Sequence, residues 1–273
     1  MFAGAFSSAL ASLLGLLFVF AGASVYLTLI RQIRARRVAA TSEPGVTPPK
    51  VFGLAELFVA ITVVLFFVYM LTAAVSRPLP RVTTPLIIAN ELLFIAIVLL
   101  VMVYLRLRGF TVDALAGLSK ITLKRALSTG FVLLLAAWPL IAVAEMITQK
   151  LFGSSSKQEI VDFFSSSATI AQRVTIIILA VVAAPIFEEL IFRFFIYGAL
   201  RRYFGVTIGL VFNSMIFAAA HTHLPSALPL FVLASCFTLA YEWSGSILVS
   251  MSMHALFNAS QLTFLAFPDI FQQ

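Results

Sequence analysis

Two adjacent carboxylates, Glu188 and Glu189, and a guanidinium, Arg193, interrupt an apolar run that begins near Val174. An Asp, Lys or Arg at the centre of a membrane helix costs roughly 2.5–3.5 kcal/mol, and Glu is of the same order. Three ionisable groups on one such segment need partners, water or a task. Three histidines follow: His221 ends Phe217-Ala-Ala-Ala-His221, His223 lies two residues on, and His254 opens His254-Ala-Leu-Phe-Asn258. Glu189/Arg193, Phe217/His221 and His254/Asn258 each stand four residues apart, so on helices each pair shares a face.

These types and spacings divide the labour of a hydrolysis. Glu189 precedes Arg193 by four, the favourable order for a helical ion pair, so Arg193 neutralises Glu189. Glu188 points about 100° away around the helix and has no such partner within it. Desolvation penalises its charge and suits it to general-base work. With His221 beside it, Glu188 can deprotonate a water molecule, while His254 and Asn258 donate hydrogen bonds to a developing oxyanion. Depth is compatible with this. Glu188 lies roughly 20 Å from the basic end of its helix at Arg201, His221 roughly 22 Å from the start of its own at Val206, and His254 roughly 12 Å from Ser246.

The rest of the chain is built to bury that segment. Of 273 residues, 62% are hydrophobic and 11% charged, against about 45–50% and about 25% in a soluble domain. Apolar runs recur along the whole length, which predicts an all-α, polytopic membrane protein, a bundle of about eight transmembrane helices with a buried polar cavity. The spans are expected over about Phe6–Ile30, Phe52–Val75, Pro85–Leu105, Ser128–Phe152, Val174–Leu200, Val206–His221, Leu228–Glu242 and Ser246–Phe267. Residues 106–127 form a basic interfacial segment, and 153–172 are polar with a short surface helix over 158–164. The chain divides into N-terminal helices and basic loops (1–124) and C-terminal helices carrying the motifs (125–273), within one membrane domain.

Net charge is +7, but the Lys and Arg lie mostly in loops between apolar runs, a topology signal and not a nucleic-acid surface. Placing the cluster Arg31, Arg34, Arg36 and Arg37 inside puts about twelve Lys/Arg in the cytoplasm and about five outside. On that topology Glu188, His221 and His254 are measured from the same membrane face and converge on a site open to the cytoplasm. Cys236, alone in an apolar run, reads as a packed core residue, and the N-terminal segment as a retained helix with no basic n-region. His223, outside the paired motifs, reads as interfacial. Glu56, Glu145, Asn90 and Glu91 lie near predicted helix ends, where interfacial positions or interhelical hydrogen bonds account for them, and Glu91 is placed where it could line the cavity. Phe217 reads as packing beneath His221.

Glu-Glu-x-x-x-Arg at 188–193, Phe-x-x-x-His at 217–221 and His-x-x-x-Asn at 254–258, in that order, resemble the motifs of the CAAX-protease and bacteriocin-processing family (CPBP or Abi). Those intramembrane endopeptidases include the type II CAAX prenyl endopeptidases. The resemblance covers roughly residues 125–268. It implies an eight-helix bundle, Glu188 and His221 as activators of the hydrolytic water, His254 and Asn258 as the oxyanion site, and Glu189 and Arg193 as supports. It implies an integral protein of the cell (plasma) membrane acting in the lipid bilayer on a peptide or protein, with a prenylated C-terminus among the candidate substrates and no nucleic acid. Some members are linked to bacteriocin maturation or immunity. Glu188, His221 and His254 would suffice for a catalytic zinc, but His-Glu-x-x-His is absent and direct activation of water needs no metal, so the expectation is no cofactor, with zinc as the alternative. The rival functions are a transporter, or a membrane scaffold or immunity protein that uses the same polar residues for binding.

Overall fold

The computed structural model describes residues 2–40, 51–76, 83–153 and 169–267. The surface helix expected over 158–164 and the proline turns at 44–49 and 78–80 lie outside the described residues. Those described are helical, with no strand among them: α1 (Phe2–Ala40), α2 (Leu54–Ser76), α3 (Thr84–Leu107), the short α4 (Val112–Ala116), α5 (Leu123–Phe152), α6 (Ile170–Ala220), α7 (Ala227–Ser244) and α8 (Ile247–Ala266). Six stretches, in α1, α2, α3, α5, α6 and α7, are long and apolar enough to cross a membrane.

At 51 residues, α6 would run roughly 75 Å if straight, well over twice the hydrocarbon thickness. It is not straight. Gly205 takes φ 79° and ψ 173°, a conformation open to glycine alone. A Cβ placed on Gly209 would lie 3.0 Å from the Arg201 backbone nitrogen, although eight residues of straight helix span about 12 Å. The chain therefore folds back at Gly205 and α6 consists of two limbs, as the expected fifth and sixth spans require. With α8, which carries the polar Ser250, Ser252, His254 and Asn258, the described residues make the eight-helix bundle anticipated from hydropathy.

Local chemistry sets the helix ends. Thr83 accepts from the Leu86 amide, with Pro85 in the first turn, and Thr122 accepts from the Arg125 amide. That second cap starts α5 at Leu123, five residues before the apolar run suggests. Small residues set the spacing. A Cβ on Gly130 of α5 would sit 2.9 Å from Ser252 Cβ and 3.1 Å from the Met253 amide nitrogen of α8. A Cβ on Gly22 of α1 would meet the Ala136 carbonyl oxygen and the Pro139 ring more closely still. Without a hydrophobic driving force between helices in lipid, such close backbone approach is what holds them together.

The basic ends gather on one face. Arg36 at the end of α1 donates to the Trp243 carbonyl (2.7 Å), and Tyr241 donates to the Leu115 carbonyl just beyond α3 (3.2 Å). Arg201, closing the first limb of α6, pairs with Glu242 at 2.6 Å, and the Tyr197 hydroxyl donates to the same carboxylate. On that face the buried Glu56 accepts from the Gly53 amide (2.6 Å), the Tyr104 hydroxyl (3.2 Å) and Arg108 (2.9 Å), tying α2 to α3 by the interhelical bonds expected of it.

Candidate active site

The first limb of α6 changes hydrogen-bonding pattern twice, to i→i+5 bonding, over Leu179–Ala183 and again over Glu189–Ile196. Such π-segments widen the turn and occur often at functional sites. The second begins between the two carboxylates, and both now reach one imidazole. His254 of α8 places Nδ1 3.1 Å from Glu189 Oε1 and Nε2 3.8 Å from Glu188 Oε2. Arg193 Nη1 lies 2.9 Å from Glu189 Oε1, and both residues of that pair are fully buried. The predicted Glu189–Arg193 pair is thus present, and Glu188 stays outside it.

Aromatic rings enclose the charges. The guanidinium of Arg193 lies 4.2 Å from the centre of the Phe217 ring and 5.2 Å from that of Phe237, contacts worth ~2 kcal/mol or more when desolvated. His254 stacks on Phe237 (5.1 Å, 30°) and meets Phe217 at 6.0 Å. His221 lies against the same Phe217 ring at 4.7 Å. Phe217 is therefore more than packing beneath His221: it is one platform for both imidazoles and the guanidinium.

His221 ends the second limb of α6. Its Nδ1 lies 2.9 Å from the Phe217 carbonyl; because a carbonyl only accepts, Nδ1 carries the proton and in the neutral ring Nε2 keeps its lone pair. The helix is stopped there by Thr222, whose φ of 53° is the one positive value at a non-glycine among the described residues. A β-branched residue in that region is a strained one, and such strain tends to sit beside functional groups. Asn258, one turn beyond His254, donates Nδ2 to the Ala180 carbonyl at 2.7 Å, inside the first π-segment. That bond commits one amide hydrogen and leaves the other. Glu188 Oε2, Glu189 Oε2 and Arg193 Nε and Nη2 have no hydrogen-bond partner among the described residues.

His223, Glu145 and Cys236 stand apart from this cluster. The His223 carbonyl caps the turn by accepting from Ser226, Glu145 lies half-buried and accepts from Gln149, and Cys236 is buried and in no disulfide. Among the described residues no three His, Cys, Asp or Glu side chains are grouped to hold a metal ion. Glu188, His221 and His254, the set that would suit zinc by type, do not make such a group.

A helical membrane bundle with two carboxylates, two imidazoles, a guanidinium and a carboxamide turned inward defines a class, the polytopic membrane proteins with a polar site inside the bilayer. Residues 170–260 match the family described as type II CAAX prenyl endopeptidase Rce1-like. The resemblance drawn from the motifs is borne out over that segment, which contains every motif residue. No curated protein and no solved structure gives a significant match to the chain.

Proposed function

We propose that the protein is an intramembrane endopeptidase, a glutamate-type peptide hydrolase that works on the cytoplasmic side of the plasma membrane and needs no metal. The observation that carries this reading is the single imidazole of His254 held between Glu188 and Glu189, with Arg193 neutralising only Glu189. One carboxylate is fixed as structure. The other is left within reach of a proton.

In this reading Glu188 takes a proton from water, and the resulting hydroxide attacks the carbonyl carbon of the scissile bond. Nε2 of His221 accepts a hydrogen bond from the same water and orients it. The oxyanion is met by Nε2–H of a doubly protonated His254 and by the free amide hydrogen of Asn258. As the C–N bond breaks, Glu188 returns its proton to the leaving nitrogen. Glu189 holds His254 through Nδ1, and Arg193 and Phe217 hold Glu189 and both rings in place. The reading routes no step through zinc, because Glu188 and His221 can activate water directly. The match to the type II CAAX prenyl endopeptidases favours a peptide presented from the bilayer, with a prenylated C-terminus as the first substrate to try.

A cleavage screen tests the reading. Prenylated and unprenylated C-terminal peptides and leader-type peptides are incubated with purified protein in nanodiscs, and products are read by mass spectrometry beside a Glu188→Gln control. A product made by wild type and lost in the variant is expected. Equal product from both would remove Glu188 from the mechanism, and no product from either would favour a binding or immunity function for the same residues.

A further inference from the structure

A third carboxylate stands on an element outside the matched segment that packs against the first limb of α6. Glu91 lies in α3, which carries no cation before Arg106. α3 and the first limb of α6 both end on the basic face, at Arg108 and Arg201, so they run in the same direction. They touch through Phe94 and Phe192, whose rings are 6.1 Å apart. One turn earlier along each helix stand Glu91 and Glu188. Residues three apart share an α-helical face, so Glu91 lies on the side of α3 that meets the first limb of α6. α3 packs directly on Ala184–Glu188.

Glu91 Oε1 is buried and has no hydrogen-bond partner among the described residues. A buried carboxylate oxygen without a donor is costly and calls for a reason. Glu188 already has His254 on one side, and the element that carries it packs against α3. Arg193 pairs with Glu189 through Nη1 and lies over the two aromatic rings, with Nε and Nη2 unpartnered among the described residues. What two carboxylates so placed can share is a small molecule with two hydrogens to donate.

We propose that Glu91 is a further catalytic residue, which shares with Nε2 of His221 the second hydrogen of the hydrolytic water while Glu188 removes the first. This rests on the hydrolase reading above. Held by both carboxylates, the water has its oxygen lone pair turned away from them, towards the scissile carbonyl. The proton balance is unchanged: Glu188 takes the proton and returns it to the leaving nitrogen, and Glu91 only orients.

Two measurements test it, one independent of activity. In a Cys236→Ser background, Glu91→Cys with Glu188→Cys is treated with a thiol cross-linker of about 5 Å, a reach comparable to a native cystine, beside a Leu100→Cys/Glu188→Cys control. Intramolecular linkage in the first pair and none in the second is expected, and no linkage in the first overturns the proposal whatever the activity. Using whichever peptide the screen yields, Glu91→Leu should lower kcat about ten- to a hundredfold with KM little changed, the scale of one hydrogen bond to a charged group. Glu91→Gln, which keeps an acceptor oxygen, should recover much of that. Wild-type kcat in Glu91→Leu, or a loss explained by lower folded yield and not relieved by Gln, overturns it. If wild type cleaves nothing, the hydrolase reading and the catalytic role of Glu91 fall together, while the cross-link still reports whether Glu91 faces Glu188.

Discussion

Glu189 and Arg193 are both fully buried, and a charge in that setting survives only with its partner. Arg193→Met strands the Glu189 charge against His254 and should cost about 3–5 kcal/mol of stability. Thermal unfolding in detergent, followed by tryptophan fluorescence, should show a large fall in Tm, and adding Glu189→Gln should restore most of it. A single variant as stable as wild type would mean that the pair does not hold the site. The pair was legible from the sequence because i,i+4 spacing lies within one helix and needs no knowledge of neighbours. The bridge from His254 to both carboxylates was not, since it depends on a π-segment beginning at Glu189, and nothing in Glu-Leu-Ile-Phe-Arg announces i→i+5 bonding. For the same reason Asn258 could be assigned to an oxyanion site by motif, whereas its bond to Ala180 appears only once α8 is docked on α6.

At the scale of elements, the site depends on how closely α8 approaches α5. Gly130 lies against Ser252 and Met253, two residues and one residue before His254. Gly130→Val would force β-branched bulk into backbone contact and push α8 outward, which for overpacking costs typically about 1–3 kcal/mol. A shift of about 1 Å in a catalytic group can cost about a hundredfold in rate, so cleavage should fall further than Tm. Parallel Tm and rate measurements on Gly130→Val and Gly130→Ala check this, and a Val variant with full activity would contradict it. Hydropathy located the helices and also the breaks after Leu200 and after His221, but not the backbone conformations that make them. The reversal at Gly205 and the stop at Thr222 are backbone events at single residues. α1 continues ten residues past the expected Ile30 because Arg31, Gln32, Ile33, Arg34, Ala35 and Arg36 include good helix formers and no breaker.

For the whole molecule, the account requires that the face joining Arg36, Arg108, Arg201 and Glu242 be the cytoplasmic one. Loop charge predicts that orientation. Ser119 is exposed on that face, between α4 and α5. In a Cys236→Ser background, Ser119→Cys should be labelled by an impermeant maleimide in inside-out vesicles and protected in intact cells. Labelling of intact cells would invert the topology and place the site's opening on the outer side. The division of the chain also bears on what it acts upon. The matched segment, 170–260, supplies the residues of the proposed water-activating site, while α1, α2 and α3 supply walls that the match does not reach, including the one bearing Glu91.

The central claim is that Glu188 activates water for peptide-bond hydrolysis. The most direct measurement is the rate of product formation by wild type and Glu188→Gln, matched for folded protein, on a peptide from the screen in water enriched with ¹⁸O. Wild type should release a product whose new carboxylate carries one ¹⁸O. Glu188→Gln should be slower by about a hundredfold or more, the scale of a lost general base. A Glu188→Gln variant that forms labelled product at the wild-type rate would contradict the account.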